Sequence, residues 1–199
     1  MASEKGMRNY HADEALDLVN QAEVGAHYMI IYQDLDALRE LYSTYIHNQI
    51  EKNNEIVLIN PFYETTDSVR KVLSEKYSNS MDDISKHENE KTLIIADALE
   101  RYFGEQNTDD YSFKMSLVHN AKRMGKSGLS ILGAMGAFTH KSKHEELVDY
   151  ELSLPTKYED GIVLKAFCLY HKNDLDRLSE EQKQKLIEHH GKALKIINS

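Results

Sequence analysis

Five short, continuous apolar runs constrain this chain more than any other feature. They are His27–Tyr32, Glu55–Asn60, Thr92–Ala96, Leu129–Ala134 and Ile162–Tyr170. A run of this length without alternation is the mark of a strand covered on both faces. Between the runs, apolar residues recur at helical spacing. Leu38, Leu41, Tyr45 and Ile46 follow Asp34 as an N-cap; Val69, Val72 and Leu73 lie in a helix from about Asp67; Phe113, Leu117, Ala121 and Met124 mark a helix over 110–124. A leading helix over 11–22 carries Ala12, Ala15, Leu16 and Val19. Ser142–Glu145 and Ser179–Gln182 read as capping boxes. The first opens a helix with Leu147, Tyr150, Glu151 and Leu154, the second a last helix running to about Ile197. The polar stretch 78–90 reads as a loop. Strand–helix alternation of this kind predicts an α/β fold: three α/β/α layers around a mainly parallel sheet of about five or more strands. Residues 1–24 are expected to form an N-terminal helical extension and 25–199 a single α/β domain.

Composition excludes several function classes. The formal net charge of −9 argues against a nucleic-acid partner, which needs clustered Lys and Arg. Lys122, Arg123 and Lys126 make the only basic cluster, enough for a single anion. The single cysteine, Cys168, rules out an internal disulfide and a paired-thiol metal motif. No run approaches the roughly 20 apolar residues of a membrane span, and Met1–Lys5 leads into no apolar run that would mark a signal peptide. A cytoplasmic protein is expected, without membrane or nucleic-acid partners.

Several motifs invite chemistry. Gly125-Lys126-Ser127 has the letters of a phosphate-binding loop, but Asn120 stands where its first glycine is needed, and it follows a helix instead of a strand. It reads as a tight turn. A functional loop of that kind would follow the first strand, where Tyr32-Gln33-Asp34-Leu35-Asp36-Ala37 offers two carboxylates, no glycine and no lysine. Asp97 ends an apolar run, the place of a magnesium-holding aspartate in nucleotide hydrolases, or of a plain helix cap. His140 and His144 are four apart, but Lys141 replaces the glutamate of a zinc hydrolase, and His190 reads as a packed core histidine. Neither a metal nor a cofactor is expected. Glu151 lies on an otherwise apolar helix face, either with its head in water or as a buried partner for a ligand or a histidine. Cys168, inside an apolar strand, reads as a small hydrophobe.

Certain segments resemble the MEDS sensory domain of methanogen and methylotroph regulators. They are His27–Tyr32 with Asp34 and Asp36, Leu147-Val148-Asp149-Tyr150-Glu151, Ala166-Phe167-Cys168-Leu169-Tyr170, and Leu186-Ile187-Glu188-His189-His190. The resemblance spans roughly 25–197. It departs at Leu132–Phe138, where the family carries a basic residue and a tryptophan, and at Gly191, where it tends to have proline. The resemblance implies a core similar to RecA-like P-loop ATPases without the phosphate loop. It also implies small-molecule sensing, often coupled to histidine kinases or DNA-binding domains.

The leading expectation is therefore a non-catalytic sensory domain. It would signal through a separate protein partner or by self-association. In a parallel sheet, ligands bind at the carboxyl ends of the strands. That rule, with the resemblance, selects Tyr32, Asp34, Phe62, Tyr63, Asp97, Phe138, His140, Glu151, Tyr170 and His171 as ligand-binding residues for a small organic molecule. The alternatives are a degenerate nucleotide binder and a structural or interaction protein without ligand. No enzyme constellation can be assembled from spacing.

Overall fold

The computed structural model describes residues 7–76, 81–105, 110–159, 161 and 163–197. Residues 78–80 and Ile162, on which part of the expected loop and of the fifth run fall, lie outside the described residues, as do Met1–Lys5. In chain order the elements are β1 (Met7–Tyr10), α1 (Ala12–Asn20), β2 (His27–Tyr32), α2 (Leu35–His47), β3 (Ile56–Asn60), α3 (Thr66–Lys76), α4 (Met81–Asn89), β4 (Leu93–Ile95), α5 (Ala98–Phe103), α6 (Asp110–Arg123), β5 (Leu129–Ala134), α7 (Gly136–His140), α8 (His144–Ser153), β6 (Leu164–His171), α9 (Lys172–Leu175), α10 (Glu180–His189) and β7 (Lys192–Ile196). The seven strands form one sheet in the order β1-β7-β2-β6-β5-β3-β4, and every pairing is parallel.

The pleat divides each strand between two layers. Tyr28, Ile30 and Tyr32 of β2 pack with residues of α1, α2, α3 and α4, while Met29 and Ile31 pack with residues of α5, α7, α8, α9 and α10. Helix α6 covers the same side as this second group, through Leu117, Val118 and Ala121 against Ile56, Leu58 and Ile131. Both faces of the sheet are thus covered, as the unbroken apolar runs require. Each of the five runs contains a strand, in the three-layer α/β/α arrangement expected.

Four local expectations need correction. The last helix ends at His189, and residues 192–196 form β7 instead. The chain breaks at His190-Gly191, where Gly191 N–H bonds to the carbonyl of His27 and starts the β2–β7 ladder. Residues 7–10, ahead of the leading helix, form β1 against β7. Most of the polar stretch 78–90 is helix α4, anchored by the single buried Ile84, by Asp82 and Asp83 in its first turn, and by Lys86 and His87 in its last. Arg70 of α3 grips Glu88 through two hydrogen bonds and ties α4 down. Finally, Ser142 does not cap α8. It sits at φ +57°, Lys143 is the N-cap, and no side chain caps the helix. The second box is present: Ser179 and Gln182 bond each other's backbone N–H. Gly125, at φ +69°, makes the turn between α6 and β5.

A polar network sits inside the α1–α4 side. Lys165 Nζ lies 2.7 Å from Glu55 Oε1 and donates to Gln49 Oε1 at 2.9 Å; Ser130 Oγ donates to Glu55 Oε2 at 2.6 Å and meets Tyr45 Oη at 2.8 Å. A π-helical turn after α2, Asn48–Lys52, brings Gln49 inward. Removing one charge strands the other. Lys165→Met should therefore cost about 3–5 kcal/mol in urea denaturation, and adding Glu55→Leu should recover most of that loss. An equal loss in the single and double variants would show that the pair is not the cause.

Candidate functional site

The chain leaves β2 and β3 toward one layer and β5 and β6 toward the other. Neighbouring strands β2/β6 and β3/β5 therefore part at their carboxyl ends, where a crevice opens. Aromatic rings line this edge in a row. Centroid separations are 5.3 Å for Tyr32–His171, 4.9 Å for His171–Tyr63, 5.0 Å for Tyr63–Phe62 and 5.7 Å for Phe62–His140. Phe62 lies against the backbone of Gly136, where an added Cβ would stand 2.4 Å from its ring. Tyr63 Oη donates to the carboxylate of Asp174 on α9, 2.8 Å from either oxygen. Although 44% of Tyr63 is exposed, Asp174 is buried. Desolvation of the hydroxyl, and then the bond to Asp174, raise the Tyr63 phenol above its ordinary value. Beside the row, a cleft of about 190 Å³ is lined by Tyr32, Gln33, Lys172, Lys195 and Ile196 among others.

The ten residues selected from the sequence do not form one group. Tyr32, Phe62, Tyr63, His140 and His171 meet in the row. Asp34 caps α2 through the N–H of Asp36, and Asp97 caps α5 through the N–H of Glu100, so both act in turn geometry. Phe138 packs among Tyr102, Phe103 and Tyr150, one layer below the edge. Glu151 and Tyr170 lie deeper still, in a second group that sequence reasoning did not assemble.

This second group sits between the sheet and helices α8 and α10. Glu151 is fully buried, which removes the reading with its head in water. Its Oε1 accepts from Tyr170 Oη at 2.8 Å. Its Oε2 lies 3.5 Å from Cys168 Sγ, 3.6 Å from His27 Nε2 and 3.5 Å from His190 Nε2. His27 Nε2 is also 3.3 Å from Cys168 Sγ. Both imidazoles are held from behind by backbone carbonyls, His27 Nδ1 by Pro155 at 3.0 Å and His190 Nδ1 by Leu186 at 2.7 Å. A carbonyl only accepts, so each Nδ1 carries a proton and each Nε2 faces the carboxylate. Burial works against charge throughout the group. At His27 it prevails over the pull of Glu151 and lowers the pKa. At His190 the carboxylate prevails and raises it. Burial would also raise the carboxyl of Glu151, but the two histidines hold it well below its ordinary value. The spacing that could have revealed this group is absent from the sequence: Cys168 and His27 are separated by 141 positions.

The Tyr63–Asp174 pair gives a direct test of the edge. Tyr63→Phe leaves a buried carboxylate without its donor and should cost about 1–3 kcal/mol in thermal denaturation at neutral pH. Because the wild-type phenol is raised, the pair contributes in full below the ordinary phenol value of 10.0 and is lost as pH climbs through the raised one. The deficit of the variant should therefore begin to shrink only above 10.0. A deficit that is flat across the alkaline range would contradict the assignment.

No curated protein matches the chain. The family model described as "MEDS: MEthanogen/methylotroph, DcmR Sensory domain" matches residues 26–191, from the residue before β2 to the glycine before β7. That span includes the aromatic row, both members of the Tyr63–Asp174 pair and every residue of the buried His–Cys–Glu group, and on this match the chain belongs to the MEDS sensory-domain family.

Proposed function

We propose that the chain is a non-catalytic, cytoplasmic domain that senses a small organic molecule at the carboxyl edge of its sheet and signals through a separate protein partner. The observation that carries this reading is the aromatic row Tyr32–His171–Tyr63–Phe62–His140, set where the strands part. Apolar ring faces with a few fixed polar groups suit a small ligand, and a sensory family is the context in which such an edge would be used. Asp34 and Asp97 each commit Oδ1 to a helix cap, which fits recognition better than proton transfer. Among the described residues, no helix is long and apolar enough to cross a membrane.

The sensing core is further read as a relative of RecA-like ATPases without the phosphate loop. The all-parallel sheet supports this, as does the glycine-free segment Gln33–Ala37 after β2. A second reading, residual nucleotide binding, has one specific observation behind it. Lys172 and Lys195 line the cleft beside Tyr32 and Gln33, and place positive charge where the sequence showed only carboxylates.

The two readings separate in one thermal-shift experiment with small organic acids, alcohols and amines in one arm and nucleotides in the other. A saturating ligand at 100 times its Kd stabilises by about 2.7 kcal/mol. The sensing reading predicts such a shift for an organic ligand, abolished in Tyr32→Ala and in His171→Ala. A shift with nucleotides only, lost in Lys195→Ala, would favour the second reading. No shift in either arm would remove both.

A further inference from the structure

The buried group beneath α8 and α10 has more donor atoms than the strand-edge site needs, and their geometry is specific. His27 Nε2, Glu151 Oε2 and Cys168 Sγ form a triangle with edges of 3.3, 3.5 and 3.6 Å. His190 Nε2 stands 3.5 Å from Glu151 Oε2, and all four ligand atoms lie within 4.8 Å of one another. Zinc binds nitrogen and oxygen at about 2.0–2.2 Å and sulfur at about 2.3 Å, so the edges of a tetrahedron of such ligands are about 3.3–3.7 Å. Four of the six edges, those among His27, Glu151 and Cys168 and that from His190 to Glu151, fall within that range before any ion is placed, and the remaining two are no longer than 4.8 Å.

Three further observations point the same way. His190 Nε2 is buried and has no hydrogen-bond partner, although it faces the group at close range. Glu151 Oε2 and His190 Nε2 attract one another across 3.5 Å without the short, aligned contact that a charge-assisted hydrogen bond would adopt. Second, each histidine already has the support that metal-bound histidines use, an Nδ1–H bonded to a backbone carbonyl, with Nε2 left to bind. Tyr170 likewise fixes the free oxygen of Glu151. Third, a small cavity of about 20 Å³ reaches Cys168, past Arg101, Lys114 and Tyr150. It has room for a water.

We propose that His27, Glu151, Cys168 and His190 form a tetrahedral site for a divalent transition ion of the zinc class. A thiolate and a carboxylate neutralise the two charges of the ion, and two neutral imidazoles complete the set. The thiol of Cys168 gives up its proton to solvent as the ion binds. The four ligands come from β2, α8, β6 and the joint between α10 and β7. The ion would therefore clamp two strands and two helices in the core, away from the aromatic row.

The test uses the full chain without an affinity tag, depleted of metal and reloaded with Zn²⁺ or Co²⁺. Cys168 is the single cysteine, so a cobalt–thiolate charge-transfer band can arise only there. The site predicts one tightly held Zn²⁺ per chain by mass spectrometry, a thermal midpoint that falls on chelation, and a cobalt spectrum that combines tetrahedral d–d bands with the thiolate band. In Cys168→Ser the thiolate band disappears, and circular dichroism checks that the variant is folded. The proposal is overturned if the wild-type chain retains no Zn²⁺ against a mild chelator. It is equally overturned if bound Co²⁺ gives an octahedral spectrum without the thiolate band, which would place the ion on surface histidines.

Discussion

The parallel sheet is covered on both faces, and that single condition governs where every polar group of the core can be. A strand with helices above and below has no solvated side, so each polar side chain it carries must find its partner inside the protein. Strand β6 shows this most clearly. Lys165 points to one layer and ends in the Glu55–Ser130–Gln49 network, while Cys168 and Tyr170 point to the other and meet Glu151. Two ionic networks thus flank the middle of the sheet, one on each side of the same strand.

The two networks differ in how completely they are satisfied. Around Lys165, a cation, a carboxylate, an amide and two hydroxyls all meet within 3 Å of a partner. Around Glu151, the contacts to both histidines and to the thiol are longer, and one ring nitrogen has no hydrogen bond. A buried ionic group is costly unless fully paired. The first network is accounted for as architecture. The second retains an unmet demand, and such a demand in a buried site is what a bound ion relieves.

The fold was legible in the sequence where burial is two-sided. Unbroken apolar runs mark β2 to β6 because both faces of those strands need apolar side chains. The elements that escaped are those whose apolar pattern is short or broken by exposed polar residues. Strand β7 buries Ala193 and Leu194 on opposite faces, but the exposed Lys192 and half-buried Lys195 interrupt it and it continues a helix-like pattern; β1 carries the exposed Arg8 and Asn9 at the sheet edge; α4 buries only Ile84. At the strand ends, the topological rule selected Tyr32, Phe62, Tyr63, His140 and His171, and the structure brings these five together in one row. That rule rests on topology and so can be applied from the sequence. Glu151 stood out as a carboxylate on an apolar face, and its burial confirms that signal. Its companions did not stand out. His27 looks like the first residue of an apolar run, His190 like a helix residue, and Cys168 like filler; only the register that pairs Met29 with Cys168, and so sets His27 beside the same strand, brings them together.

Strand β7 lies between β1 and β2, and among the described residues it is the only strand that pairs with β1. The first strand of the chain therefore cannot join the sheet until the segment that follows every other strand has been made. During synthesis, β2 leaves the ribosome before either of its neighbours, β6 and β7, and β1 waits on the far side of a gap. Parallel pairings between such distant segments are slow to form, and a bare strand edge is open to other chains in the meantime. The order of strands in this sheet thus assigns the closing step of assembly to residues 192–196.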